Sequence, residues 1–252
     1  MNVFKWVSNQ LTKAGRSGAA AGLALLFGVV AFPVSRLVAE GKPAKVSLVE
    51  GKAERTSTKG AAEALKVGTG LVEGDTVTTA AESRLELEFA DRSIVRLGPT
   101  AKLQLTAAHF GGGPSKRKMT AKLFFGNIWA KVTSIVGGDQ KFAIETENAV
   151  AGVRGTTFRV DARQDKSVLV RVYAGAVAVA KPVQLRTSRP GDAREEVAGP
   201  EEVSRDQWEK LVGKQMQIVI GADGTPGEPE KFAEDADKGD AWAKWNQQRD
   251  AK

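Results

Sequence analysis

Arg84-Leu85-Glu86-Leu87-Glu88-Phe89 sets an apolar side chain at every second position. That is the period of a strand with one buried face and one wet face. Outward from it the alternation recurs in Val46-Ser47-Leu48-Val49, Leu103-Gln104-Leu105, Phe142-Ala143-Ile144 and Val168-Leu169-Val170-Arg171-Val172. Turn chemistry separates the runs, as in Val72-Glu73-Gly74-Asp75, Ala90-Asp91-Arg92-Ser93, Val136-Gly137-Gly138-Asp139 and Ala174-Gly175. Strands are expected at Lys45–Glu50, Ala53–Ser57, Thr76–Thr79, Arg84–Phe89, Ile94–Leu97, Lys102–Thr106, Thr120–Phe125, Ile128–Thr133, Lys141–Glu147, Thr156–Ala162, Ser167–Tyr173, Ala176–Ala180 and Val183–Thr187. Many short strands punctuated by turns define an all-β class. The reading is a solenoid-like or rolled β domain, antiparallel or mixed, over residues 45–190.

The flanks differ from this centre. Ala61–Leu65 reads as a brief helical turn, and the glycine-rich stretch from Phe110 to Lys118 as a loop. Residues 191–252 form an extension: a short helix over Arg205–Val212 with Trp208, a strand at Gln217–Ile220, and irregular chain from Gly221 to Pro229. The last twenty or so residues suggest a marginal helix that docks through Phe232, Trp242 and Trp245 or frays.

At the other end, Arg16 and Arg36 bracket nineteen uncharged residues with an apolar core from Ala19 to Phe32. Residues 17–36 are therefore expected to form one hydrophobic helix, a transmembrane anchor or a signal peptide. Arg36 follows the apolar run directly, and no clean small-x-small cleavage site lies close behind, which favours the anchor. Lys5, Lys13 and Arg16 keep residues 1–16 cytoplasmic on this reading. Either version exports the β domain to the cell envelope, anchored in the inner membrane with a periplasmic β domain or secreted free.

The 252 residues include one His, one Tyr and no Cys. That excludes disulfides, zinc-thiolate sites and thiol nucleophiles. The formal charge is +7, but Lys5, Lys13, Arg16 and Arg36 stand where no acid precedes Glu40. Without those four, 33 bases face 30 acids. Aromatic residues are not interleaved with the remaining bases, so a nucleic-acid partner is not expected.

Few residues look like chemistry. Gly111-Gly112-Gly113 precedes Lys116-Arg117-Lys118, but Pro114 and a following strand pattern are the wrong context for a phosphate loop. His109 has no acid within several residues, and no Ser lies in a Gly-x-Ser-x-Gly setting. Glu86 and Glu88 share a strand face with Arg84, the wet side of the sheet. The run Thr146 to Val160 joins two alternating segments through Gly152 and Gly155, which flank Val153-Arg154. Glycine in a β pattern marks a bulge or close approach, so this run reads as a structural corner. Gly74, Asp75, Arg154, Gly155 and Thr156 are the candidate structural or interaction positions. No catalytic residue, metal ligand or cofactor site is assigned.

In this order the pieces resemble the FecR domain family of bacterial envelope proteins. The resemblance rests on Gly70-Leu71-Val72-Glu73-Gly74-Asp75 with Thr78-Thr79, Ser83-Arg84-Leu85-Glu86-Leu87, and Phe89-Ala90-Asp91-Arg92-Ser93 with Leu97. It continues in Leu123-Phe124-Phe125-Gly126-Asn127-Ile128-Trp129-Ala130, Phe142-Ala143-Ile144-Glu145-Thr146, Val153-Arg154-Gly155-Thr156-Thr157-Phe158 and Gly175-Ala176-Val177. The match spans Leu65 to Lys181, and Ala241 to Asp250 is similar to tails of stand-alone members. The resemblance implies a periplasmic all-β domain, which in typical members relays a signal from an outer-membrane receptor to a cytoplasmic sigma factor. Those members carry a cytoplasmic helical domain ahead of the membrane span, where this sequence has sixteen residues, so sigma-factor control through its own N-terminus is not expected. Asp91-Arg92 stands where Asp-Gly is usual, which implies a different turn type. The expectation is a non-enzymatic envelope protein acting in signalling or as a scaffold. Its protein partner would pair with an exposed strand edge. The alternative is a cell-wall polysaccharide-binding module or a polymer-acting envelope enzyme, with Trp129 and Tyr173 as aromatic candidates.

Overall fold

The computed structural model describes residues 42–110, 117–133, 141–182, 209–233 and 235–251. In chain order the strands are β1 (Ala44–Glu50), β2 (Ala53–Thr56), β3 (Ala62–Ala64), β4 (Gly70–Leu71), β5 (Thr76–Thr79), β6 (Arg84–Phe89), β7 (Ile94–Leu97), β8 (Lys102–His109) and β9 (Lys118–Lys131). They continue as β10 (Lys141–Glu145), β11 (Val150–Val153), β12 (Thr157–Ala162), β13 (Val168–Ala174), β14 (Val177–Ala180), β15 (Glu209–Val212), β16 (Met216–Ile220) and β17 (Glu230–Lys231). Helix α1 (Ala241–Asp250) follows. Among the described residues no helix is long and apolar enough to cross a membrane. The hydrophobic helix expected at 17–36, the segment 1–16 and the strand expected at Val183–Thr187 lie outside the described residues, as does most of the loop after Phe110.

Pairing divides the strands into two open sheets that share β9. The first sheet runs β4-β1-β6-β7-β9-β12-β13-β16-β17. The second runs β3-β2-β5-β8-β9-β10-β11-β14-β15. All pairs are antiparallel except β9 with β10. β9 pairs with β8 through Phe125 and with β12 from Gly126 onward, so it crosses from one sheet to the other at Gly126. Gly126 has φ +93, and a Cβ there would come within 2.5 Å of the Ala101 backbone. Only glycine takes that conformation and that closeness without cost.

The inward faces of both sheets form one core. Leu85, Leu87 and Phe89 of β6 are buried, as are Ile144 of β10 and Val177 and Val179 of β14. Phe89 meets Phe142 edge to face across the sheets, with ring centroids 6.2 Å apart. Each large apolar side chain so buried contributes about 1.5–3 kcal/mol. The alternation of the sequence is thus the alternation of core and outer face.

Several local expectations are corrected. Ala61–Leu65 is not a helical turn: β3 pairs with β2, where Arg55 faces Glu63 and the two form an ion pair of 2.7 Å. Pairing overrides the helical preference of three alanines. Arg205–Val212 is not helical over its described part, because β15 pairs with β14 and buries Val212. The two strands expected at Thr120–Phe125 and Ile128–Thr133 are one, bent at Gly126. Val150–Val153, part of the expected corner, is itself a strand between β10 and β14. The Asp91-Arg92 turn keeps the geometry of a glycine position. Arg92 sits at φ +68, its N–H donates to the Phe89 carbonyl, and Asp91 accepts from the Ser93 N–H.

Candidate interaction site on the strapped sheet

Alternation puts polar residues on the outer face of the first sheet, and register lines them up. Glu86 of β6 lies opposite Arg96 of β7, and Arg96 opposite Trp129 of β9. Trp129 faces Arg159 of β12, which faces Arg171 of β13, then Gln217 of β16 and Glu230 of β17. One row thus crosses seven strands. Such a row would normally be wet. Here Glu86, Arg96 and Trp129 are at most 5% exposed, because α1 lies over them. The reading of Glu86 as the wet side of the sheet is therefore overturned.

α1 is held chiefly by charge. Asp240 is its N-cap, accepting from the backbone N–H of Trp242 and Ala243, and it also binds Arg159. Just before it, Asp237 accepts from Arg171 at 2.6 Å. Arg249 in the last turn donates to both oxygens of Glu86, at 2.6 and 3.0 Å. Arg96 donates to Glu86 at 2.7 Å and to the Asn246 side chain at 3.3 Å, and it pairs with Asp250 at 2.8 Å. Trp129 Nε1 donates to Asp250 at 2.9 Å. Aromatic contacts fill the gaps: Trp242 stacks on Trp245 with centroids 5.3 Å apart, and Trp129 packs on Tyr173 at 4.3 Å. The expected docking of this tail through aromatics is therefore one part of the contact, and the ion pairs are the larger part.

The electrostatics follow from this packing. Burial pushes the Glu86 carboxyl up, but hydrogen bonds from Arg249, Arg96 and Ser47 outweigh it and bring the pKa down to about 2. Burial opposes the same trend at Asp240, whose pKa is lowered by Arg159 and by the N–H groups of Ala243 and Trp242. Tyr173 is pushed up, first by burial and then by Asp237.

The positions singled out from sequence sit at two different turns. Gly74 (φ +89) and Asp75 form the turn before β5, where Asp75 is buried and accepts from the Val72 N–H at 2.9 Å. Gly155 (φ +60) and Thr156 form the corner where the chain leaves the second sheet for the first. Thr156 Oγ1 donates to the Arg154 or Ala176 carbonyl, and its own carbonyl accepts from the Val132 N–H. Arg154 is exposed. His109, without an acid near in sequence, has Glu73 at 3.4 Å across the fold, in the open. Among the described residues no group of three acids or histidines could hold a metal ion.

Among the described residues neither sheet closes, so each has ends. In the second sheet β3 shows an edge: Ser57 N–H donates to Ala61 and Leu65 N–H to Ala53, which leaves the Ala62 and Ala64 backbone groups pointing away from β2. That edge is three residues long and carries Glu63, features that discourage pairing. At the other end β15 pairs, among the described residues, with β14 alone. There Leu211 is 70% exposed.

The two-sheet β domain thus carries a strapped outer face and, among the described residues, an edge strand β15 with Leu211 exposed. A family model described as FecR protein matches residues 75–178, and this part of the chain is a FecR domain. The matched span covers the row from Glu86 to Arg171, whereas β15 to β17 and α1 lie outside it. Among curated proteins no relative matches. Two solved structures of "a putative anti-sigma factor" from Parabacteroides distasonis ATCC 8503 are similar, each at 21% identity and TM-score 0.46 over 67% of this chain. The chain spans slightly under two thirds of their length, 64% and 63%. A cell surface anchoring domain is similar at 22% identity and TM-score 0.24, over 25% of this chain and 83% of its own.

Proposed function

We propose that this chain is a non-enzymatic signal-transduction protein of the cell envelope whose FecR domain binds a protein partner by strand addition at β15. The observation that carries the reading is the β15 edge, paired on one side among the described residues and displaying Leu211. A strand laid against that side gains main-chain hydrogen bonds, and a groove for Leu211 gives selectivity. β3 offers a shorter edge with no exposed large apolar side chain and is the poorer acceptor. The non-catalytic part of the reading draws on the acids beneath and beside α1. Glu86, Asp237 and Asp240 are each committed to a guanidinium group. Location in the envelope draws on the uncharged stretch between Arg16 and Arg36, with residues 17–36 as inner-membrane anchor or leader. A sugar platform at Trp129 or Tyr173 is not favoured, because α1 covers Trp129 and Tyr173 packs on it.

A photo-crosslinking amino acid placed at position 211, and separately at 63, tests the partner in cells. A discrete protein adduct from 211 and none from 63 is expected. No adduct from 211, or equal adducts from both, contradicts the assignment. Fractionation of the same cells reads the location, with the chain expected among envelope proteins.

A further inference from the structure

β9 carries a bulge where it pairs with β8. Lys102 faces Phe125 and the next pair is Leu103 with Leu123, so Phe124 is the extra residue. A bulge re-aims side chains. Here Leu123 stays in the core, while Phe124 and Phe125 are 43% and 38% exposed. The bend at Gly126 follows directly. Two consecutive phenylalanines are thus held outside the core by backbone geometry, and exposed apolar surface with a polar rim marks an interaction site.

Both rings line a cavity of about 380 Å³, with Thr100, Glu147, Arg163 and Lys166 among its walls. The walls are tied together: the Asn148 side-chain amide donates to the Lys166 carbonyl at 2.9 Å and the Ala222 carbonyl at 3.1 Å. Lys166 neutralises Glu147 across 2.9 Å. The ammonium groups of Lys102 and Lys122 each lie 5.3 Å from the centroid of the Phe124 ring. Among the described residues neither lysine has a carboxylate partner. Arg163 and Lys166 stand in the cavity wall with Glu147, and Lys102 and Lys122 flank the Phe124 ring, so four bases face one acid around an apolar floor.

We propose that this cavity binds an acidic peptide segment of a partner protein, with an apolar side chain seated on Phe124 and Phe125. Carboxylates flanking that side chain complement Lys102, Lys122 and Arg163. The tied walls reduce the ordering cost of binding. This site is separate from the β15 edge, and the two can fail independently.

Fluorescence anisotropy on the full chain tests it with three labelled pentapeptides: acidic with a central phenylalanine, acidic with a central alanine, and basic with a central phenylalanine. A neutral chitin tetramer serves as a fourth probe. The first peptide is expected to bind at least tenfold more tightly than the others. Phe124→Ala and the pair Lys102→Glu with Lys122→Glu should each weaken it at least tenfold, with unchanged melting temperature, and Leu211→Lys should leave it unchanged. No binding of the first peptide, equal binding of the basic one, preference for the sugar, or undiminished binding by Phe124→Ala would overturn the proposal.

Discussion

Arg92 holds a left-handed conformation at φ +68 on an 85% exposed side chain whose only described ion pair, with Glu88, is 3.5 Å long. Such a conformation costs an L residue about 1–2 kcal/mol, and glycine avoids most of it while losing more chain entropy. Arg92→Gly is therefore expected to stabilise the fold by up to about 1 kcal/mol, read as a higher urea midpoint at unchanged slope. Glu86 is the opposite case. Its removal in Glu86→Ala leaves Arg96, which is 2% exposed, with one partner fewer in a buried site. Breaking one half of a buried pair costs about 3–5 kcal/mol, and that loss in urea denaturation is the expected outcome. At this scale the sequence was half legible. The alternation identified which residues leave the core, but not that a helix some 150 residues away in the chain would cover Glu86 and Arg96.

At the scale of elements, α1 is ten residues long and buries only Trp242, Ala243 and Asn246. An isolated helix of that length is marginal in water, so its stability comes from the row beneath it. The Glu86 pKa is about 2 in the folded chain against a usual 4.5. A carboxyl with a lowered pKa contributes stability above its unfolded pKa and loses it as pH falls through the folded value. The contribution, on the order of 3 kcal/mol, should therefore vanish between about pH 4.5 and pH 2. The lowered pKa of Asp240 acts in the same direction. Release of α1 uncovers Trp129, Trp242 and Trp245, so a red shift of tryptophan emission is expected across that window. Glu86→Gln should remove most of the step; an unchanged step would assign it to other carboxyls. The strands themselves were readable because period-two patterning is local. The elements misread as helical, β3 and β15, are those whose pairing partner decided against their own composition.

At the scale of the molecule, β9 joins the two sheets and Gly126 allows the crossing. Gly126→Ala would set a Cβ against the Ala101 backbone at φ +93, and a loss of several kcal/mol in thermal or urea unfolding is expected. The family resemblance was legible from turns and strand order, and the FecR match over 75–178 agrees with it. The two-sheet arrangement was not, since it depends on register between segments far apart in sequence. The resulting molecule has one outer face occupied by its own helix and one edge strand, β15, paired on a single side among the described residues. Hydrogen–deuterium exchange, with and without the protein captured through position 211, tests this division of labour. Slower exchange over residues 209–212 with α1 unchanged is the predicted result. Unchanged exchange at 209–212 together with faster exchange over 241–250 would contradict it, because the partner would then be replacing the helix and leaving the edge untouched.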